Sequence, residues 1–275
     1  MIPISKRNKH PDFFPCIFTI IKIDDFSFYR MRMIRNFFFI LVLFLQQCKP
    51  DEQASSGTAS LEFNPVYDNV AFEPVVAYDY TGRQKIKFSK FDFFITGVEF
   101  ISSASVTNER AGRIDFTSGS LTAKKITLNG VKAGTYTGLR FYIGVKPDLN
   151  KKLPKDFDSS NPLSSSSHYW DSWNSYIFNK IEGVVDTAGN GKYDLGFAIH
   201  TGTDECISIY ELNRPIQVTE NENTSFVFDL DIKKLFIRGN GLFDIASSPL
   251  NHNPANIETL KSFSSRMPGA IQIKN

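Results

Sequence analysis

Apolar residues recur at every second position over most of the chain beyond Ser60. Leu61 and Phe63, Ile86 and Phe88, Phe91 and Phe93, Ile126 and Leu128, and Leu139, Phe141 and Ile143 each alternate with polar neighbours. The same holds for Ile207 and Ile209, for Ile216 and Val218, and for Phe226, Phe228, Leu230 and Ile232. A period of two puts one face of each segment in a core and the other in water, the signature of half-buried antiparallel strands. Turn residues separate these runs at Asn129-Gly130, Ala133-Gly134, Gly189-Asn190-Gly191 and Glu220-Asn221-Glu222-Asn223, and no long helical period interrupts them. The pattern predicts an all-β fold, an antiparallel β-sandwich with Greek-key character. One short C-terminal helix is expected between Asn253 and Met267, entered through Asn253-Pro254. Residues 147–169, with three prolines and a serine run, break the alternation and read as a long loop, either disordered or functional.

The beginning of the chain follows another logic. Nine consecutive apolar residues, Phe37 to Leu45, follow Arg32 and Arg35 and end at Gln46-Gln47-Cys48. A membrane-spanning helix needs roughly 20 apolar residues, whereas a short apolar core behind basic residues fits a secretory signal. Leu45 three places before Cys48 resembles a bacterial lipobox, in which the cysteine becomes the lipidated first residue. Met31 or Met33 is the expected start, because Asp24, Asp25 and the apolar stretch Ile17 to Ile23 do not suit a signal. The expected organisation is a non-native extension plus lipoprotein signal peptide over 1–47, a flexible tether over 48–59 and one folded domain over 60–275. The expected location is outside the cytoplasm, lipid-anchored to a bacterial membrane and facing the periplasm or the cell surface.

Removing the leader changes the charge. The whole sequence carries +2, but residues 1–47 hold seven of the 31 Lys and Arg and three of the 29 Asp and Glu, leaving 24 basic against 26 acidic residues, or −2. A near-neutral domain without a long basic run offers no electrostatic footprint for nucleic acid. It also keeps a single cysteine, Cys206, which excludes an internal disulfide and reads as a small buried hydrophobe.

Candidate chemistry therefore falls on other residues. Three histidines remain, His168, His200 and His252, and both tryptophans, Trp170 and Trp173, stand beside the first. Imidazole is a ligand for copper, zinc, iron and nickel. Glu182 is a candidate to orient a histidine from behind. Asp186 to Asp194 superficially suggests a calcium loop, but Ala188 and Phe197 stand where ligands are required, so a hairpin turn explains its glycines. No phosphate loop, nucleophile elbow or paired-cysteine zinc motif is present, and no enzyme activity is expected.

The segments Trp170-Asp-Ser-Trp-Asn-Ser-Tyr176 through Gly183, Phe197-Ala-Ile-His200-Thr-Gly202, Leu230-Asp-Ile-Lys-Lys-Leu-Phe236 and His252-Asn-Pro254 resemble the MbnP-like family of copper-binding periplasmic proteins and lipoproteins. Phe88 to Glu99 and Gly134 to Val145 resemble its first half in the same order. The resemblance spans roughly residues 59–267. It implies a β-sandwich that binds copper through histidine and through a tryptophan oxidised to kynurenine by a diheme peroxidase-like partner. His200, in its Phe-x-x-His-x-Gly setting, is the leading metal ligand, with His168 and His252 as further candidates. The family writes Trp-x-Trp where this chain has Trp-x-x-Trp, so the modified position falls on Trp170 or Trp173. The expected function is a lipid-anchored protein that binds copper outside the cytoplasm for storage, delivery or sensing. A structural or adhesion-type surface lipoprotein using the sandwich as a metal-free scaffold is the alternative.

Overall fold

The computed structural model describes residues 55–117, 124–239 and 241–274. The expected signal peptide, Cys48 and the expected tether up to residue 54 lie outside the described residues. The strands that build the sandwich and its site are, in chain order, β1 (Ser56–Tyr67), β2 (Lys85–Ile101), β3 (Gly112–Asp115), β4 (Lys125–Lys132), β5 (Gly138–Ile143) and β6 (Tyr169–Trp170). They continue with β7 (Ser175–Asp186), β8 (Leu195–Gly202), β9 (Ser208–Leu212), β10 (Asn223–Asp231), β11 (Leu250–Asn251) and β12 (Ile271–Ile273). In one sheet β1 lies between β10 and β4, with β12 beyond β10. The other runs β9-β5-β2-β7-β8-β11, with β3 on β2 and β6 on β7. The chain crosses over β2 to pass from β5 to β7, the non-sequential pairing expected of a Greek-key sandwich.

Three details depart from the sequence expectation. β1 already begins at Ser56 and pairs with β4 and β10, so the last four residues of the expected tether belong to the sheet. The β1–β10 and β8–β11 pairs are parallel, within a fold that is otherwise antiparallel. The runs around Phe88 and Phe91 belong to one 17-residue strand, β2. Its register shifts where Phe88 pairs with Gly183 and Lys90 with Glu182, leaving Ser89 as an extra residue. That bulge resets the alternation by one place, so Phe88 and Phe91, three apart, both point inward.

Aromatic rings fill the space between the sheets. Phe63 of β1 stacks on Phe228 of β10 with centroids 5.1 Å apart and meets Phe93 and Phe141 of the facing sheet edge-on at 5.8 and 6.1 Å. All four are at most 1 % exposed. Burying each such ring stabilises the fold by about 2–3 kcal/mol.

The outer face of the second sheet is covered too. Residues 147–168, expected as a long loop, form four one-turn helices, Pro147–Asn150, Pro154–Asp156, Pro162–Ser164 and Ser166–His168. A proline opens each of the first three, where its missing N–H costs nothing. This cover buries Leu163 at Tyr176 of β7, whose hydroxyl donates to the Leu163 carbonyl at 2.9 Å, and sets Phe157 edge-on to the same ring. At the C-terminal end the Asn253 side chain accepts from the Ala255 N–H at 2.9 Å. A single 3-10 turn follows, and the expected helix then runs over Ile257–Ser264 with Leu260 and Phe263 buried.

Candidate metal centre

His200 lies inside β8, not at its end, and pairs with Lys180 of β7 in the antiparallel register. Glu182, two residues along β7 on the same face, is its diagonal neighbour and within side-chain reach. Its Oε1 is 2.8 Å from Nε2 of His200. That bond assigns the Nε2 proton toward the carboxylate and leaves Nδ1 with a free lone pair. Burial pushes the His200 imidazole below its usual range, and Glu182 acts in the opposite direction. A neutral imidazole is the form that binds a metal.

His252 reaches the same place from a distant part of the chain. β11 runs parallel to β8, with Leu250 opposite Ala198 and Asn251 opposite Ile199. The next residue, His252, thus arrives beside His200, and the two rings are 6.1 Å apart. Asn251 is fully buried and holds the turn, accepting from the Ser248 hydroxyl at 2.8 Å.

The tryptophans come from the hairpin that joins β6 to β7. Trp173 N–H donates to the Trp170 carbonyl at 3.0 Å and Asn174 N–H to the Asp171 carbonyl at 3.1 Å. Asn174 closes the turn with φ of 50°, a left-handed conformation asparagine tolerates. The three-residue separation over this turn puts both indoles on one side. Their centroids are 4.8 Å apart and their planes 15° from parallel. Trp170 also meets His252 at 5.9 Å and His200 at 6.1 Å.

Four of the five expected residues, Trp170, Trp173, His200 and His252, therefore converge. His168 does not join them. It is 3 % exposed, and its Nε2 is 3.0 Å from Asp92 Oδ1. Its Nδ1 faces the Ser167 hydroxyl at 3.0 Å and Arg113 Nη1 at 3.1 Å. Asp92, Lys180 and His200 occupy matching positions on β2, β7 and β8, so the Asp92 that His168 bonds lies two strand spacings from His200, roughly 10 Å. Lys180, buried between the two groups, donates to the Ser167 carbonyl, and burial lowers its pKa. Sequence reading missed this Asp92–His168–Lys180 cluster, whose only signal was two charged residues at strand positions that proved buried.

The residues present fit a metal in one respect and limit it in another. With metal–nitrogen bonds of about 2 Å, two imidazoles on one ion have ring centres roughly 5 to 6.5 Å apart, and the observed separation falls in that range. Among the described residues, no three His, Cys, Asp or Glu side chains stand close enough to hold an ion. The aromatic neighbour that both imidazoles share is Trp170. An unmodified indole offers only an N–H donor and no lone pair for a metal.

A search of curated proteins finds no match. Among solved structures, MbnP from Methylosinus trichosporium aligns with 12 % identity and a TM-score of 0.44 over 72 % of this chain and 81 % of its own. The family model for MbnP matches residues 56–257, from the first residue of β1 to the first of the C-terminal helix. The chain belongs to the MbnP family.

Proposed function

We propose that this protein binds copper outside the cytoplasm through His200 and His252, beside Trp170, and stores, delivers or senses it with no turnover of its own. The observation that carries this reading is the meeting of Trp170, His200 and His252, which come from three segments far apart in sequence. A metal-free scaffold has no need to assemble two imidazoles and two indoles on one sheet edge. Copper stands highest in affinity among divalent first-row metals for nitrogen sites, and imidazole suits it.

Within this reading His200 and His252 supply the nitrogen donors and Glu182 orients His200. Trp170 is the residue that an oxidising partner of the diheme peroxidase type would convert to kynurenine, giving the site donor atoms that indole lacks. When bound, copper would supply a redox-active, ligand-exchanging centre. His168 serves the fold, not the metal. Export by the Phe37–Leu45 signal and lipid attachment at Cys48 would hold the domain on a membrane, facing the periplasm or the cell surface.

Copper loading of the purified protein, in competition with zinc and a chelator, tests the site. About one ion per chain is expected, and His200→Ala and His252→Ala should each weaken retention at least tenfold. Retention unchanged in both variants refutes the site. Intact and peptide mass spectrometry of protein from its native membrane reads lipidation at Cys48 and oxidation at Trp170 together.

A further inference from the structure

We propose that Gly202 and Trp173 form a seat that holds Trp170 against His200 and His252, so that both are positioning residues for the site. The inference rests on the copper reading given under Proposed function. Gly202 lies two residues beyond His200 on β8, so the two face the same side of the sheet. A Cβ at Gly202 would stand 2.8 Å from Cε3 and 2.9 Å from Cζ3 of Trp173, and 2.8 Å from the Tyr176 carbonyl oxygen. Carbon atoms make contact at about 3.5–4.0 Å, so any side chain there would displace the indole. Gly202 has no positive φ, so the position uses glycine for its missing Cβ and not for backbone freedom.

The consequence passes along a chain of contacts. Trp173 rests over the bare backbone of Gly202 and packs against the core. Trp173 also stacks on Trp170 at 4.8 Å. Trp170 in turn meets His252 and His200. The backbone turn 170–174 sets where the two Cα atoms lie, but it leaves the χ angles of a partly exposed Trp170 free. Stacking on a seated Trp173 selects one of those orientations. His-x-Gly in β8 thus gives one residue to the metal and the second to the ring that orders the neighbouring indole.

The test uses full-length protein produced without an oxidising partner, its intact mass confirming that both indoles are unmodified. Two stacked indoles give a paired-sign exciton signal in ultraviolet circular dichroism of the metal-free protein. Gly202→Ala and Trp173→Phe should each abolish that signal and, because Trp170 then no longer packs against the His200 and His252 rings, weaken copper retention against a chelator by roughly three- to tenfold, the range an aromatic pair is worth. Gly202→Ala also crowds the Tyr176 carbonyl and destabilises β8 directly, so the decisive comparison is made on a Trp173→Ala background. There, adding Gly202→Ala should change copper retention less than twofold, because the ring it would displace is gone. An exciton signal intact in Gly202→Ala, or a copper loss of the same size on both backgrounds, overturns the proposal. Loss of the exciton signal together with copper retention indifferent to His200→Ala and His252→Ala supports the seat and rejects the copper site instead.

Discussion

Glu182 accepts a hydrogen bond from Nε2 of His200 at 2.8 Å, across the pairing of β7 with β8. The carboxylate side chain is 36 % exposed and the imidazole 16 %, so the bond sits at the rim of the sheet with the histidine on its inner side. Partners behind a ligating histidine typically contribute tenfold to a hundredfold in metal affinity. Glu182→Gln keeps an acceptor but removes the charge, and should weaken copper retention by about tenfold. Chelator competition measures it, and a value equal to the unmodified protein would show that Glu182 does not act through His200.

The Asp92–His168 pair answers a different question. Both side chains are at most 4 % exposed, and Arg113 and Ser167 complete the shell around the imidazole. Removing His168 takes the Oδ1 hydrogen bond from buried Asp92 and leaves it only Lys90, 3.8 Å from Oδ2, a loss of about 1–3 kcal/mol. His168→Ala should therefore lower unfolding free energy in urea by about that amount while one copper ion per chain is still bound. A loss of copper with stability unchanged would return His168 to the metal site.

The core makes a simpler prediction. Phe228 stacks on Phe63 and meets Phe141 and Tyr210 edge-on at 5.8 and 5.5 Å. Phe228→Ala opens a cavity between the sheets and should cost about 3–5 kcal/mol. Denaturant unfolding reads the change, and a loss under about 1 kcal/mol would mean that the sheets close over the gap.

Stability should fall on the alkaline side. Burial pushes the phenols of Tyr67 and Tyr176 well above the ordinary tyrosine range, and Tyr80 and Tyr210 move the same way. In the unfolded chain these groups lose their protons near pH 10, while the folded state still holds them. Their contribution is therefore complete below about pH 10 and is lost as pH rises beyond it. Thermal unfolding midpoints should drop between about pH 10 and 11, and Tyr67→Phe should reduce the slope of that drop. An unchanged slope would assign the alkaline loss to other groups.

The sandwich was legible because period-two alternation depends on burial alone, and burial of one face is what these strands do. The bulge at Ser89 was not, because it is a relation between β2 and β7, and neither strand states its register by itself. The cover over Tyr176 was hidden for a similar reason. Its prolines and serines look like disorder until they close turns on aromatic residues from a different segment. The candidate site divides the same way. His200, His252 and the two tryptophans were visible as residue types, whereas the separation of His168 from them was not.

By itself, the sequence determined the all-β class, the membership of the aromatic core, the near-neutral charge of residues 48–275 and the short inventory of side chains able to meet a metal. Composition and local periodicity carry that information, since each depends on a residue and its immediate neighbours. Only the tertiary structure decided that β11 runs parallel to β8 and brings His252 beside His200, that Glu182 bonds His200, and that Gly202 leaves room for Trp173. Those are contacts between residues up to 52 positions apart in the chain, as His200 and His252 are. Strand register and sheet order place them, and no local pattern encodes either one.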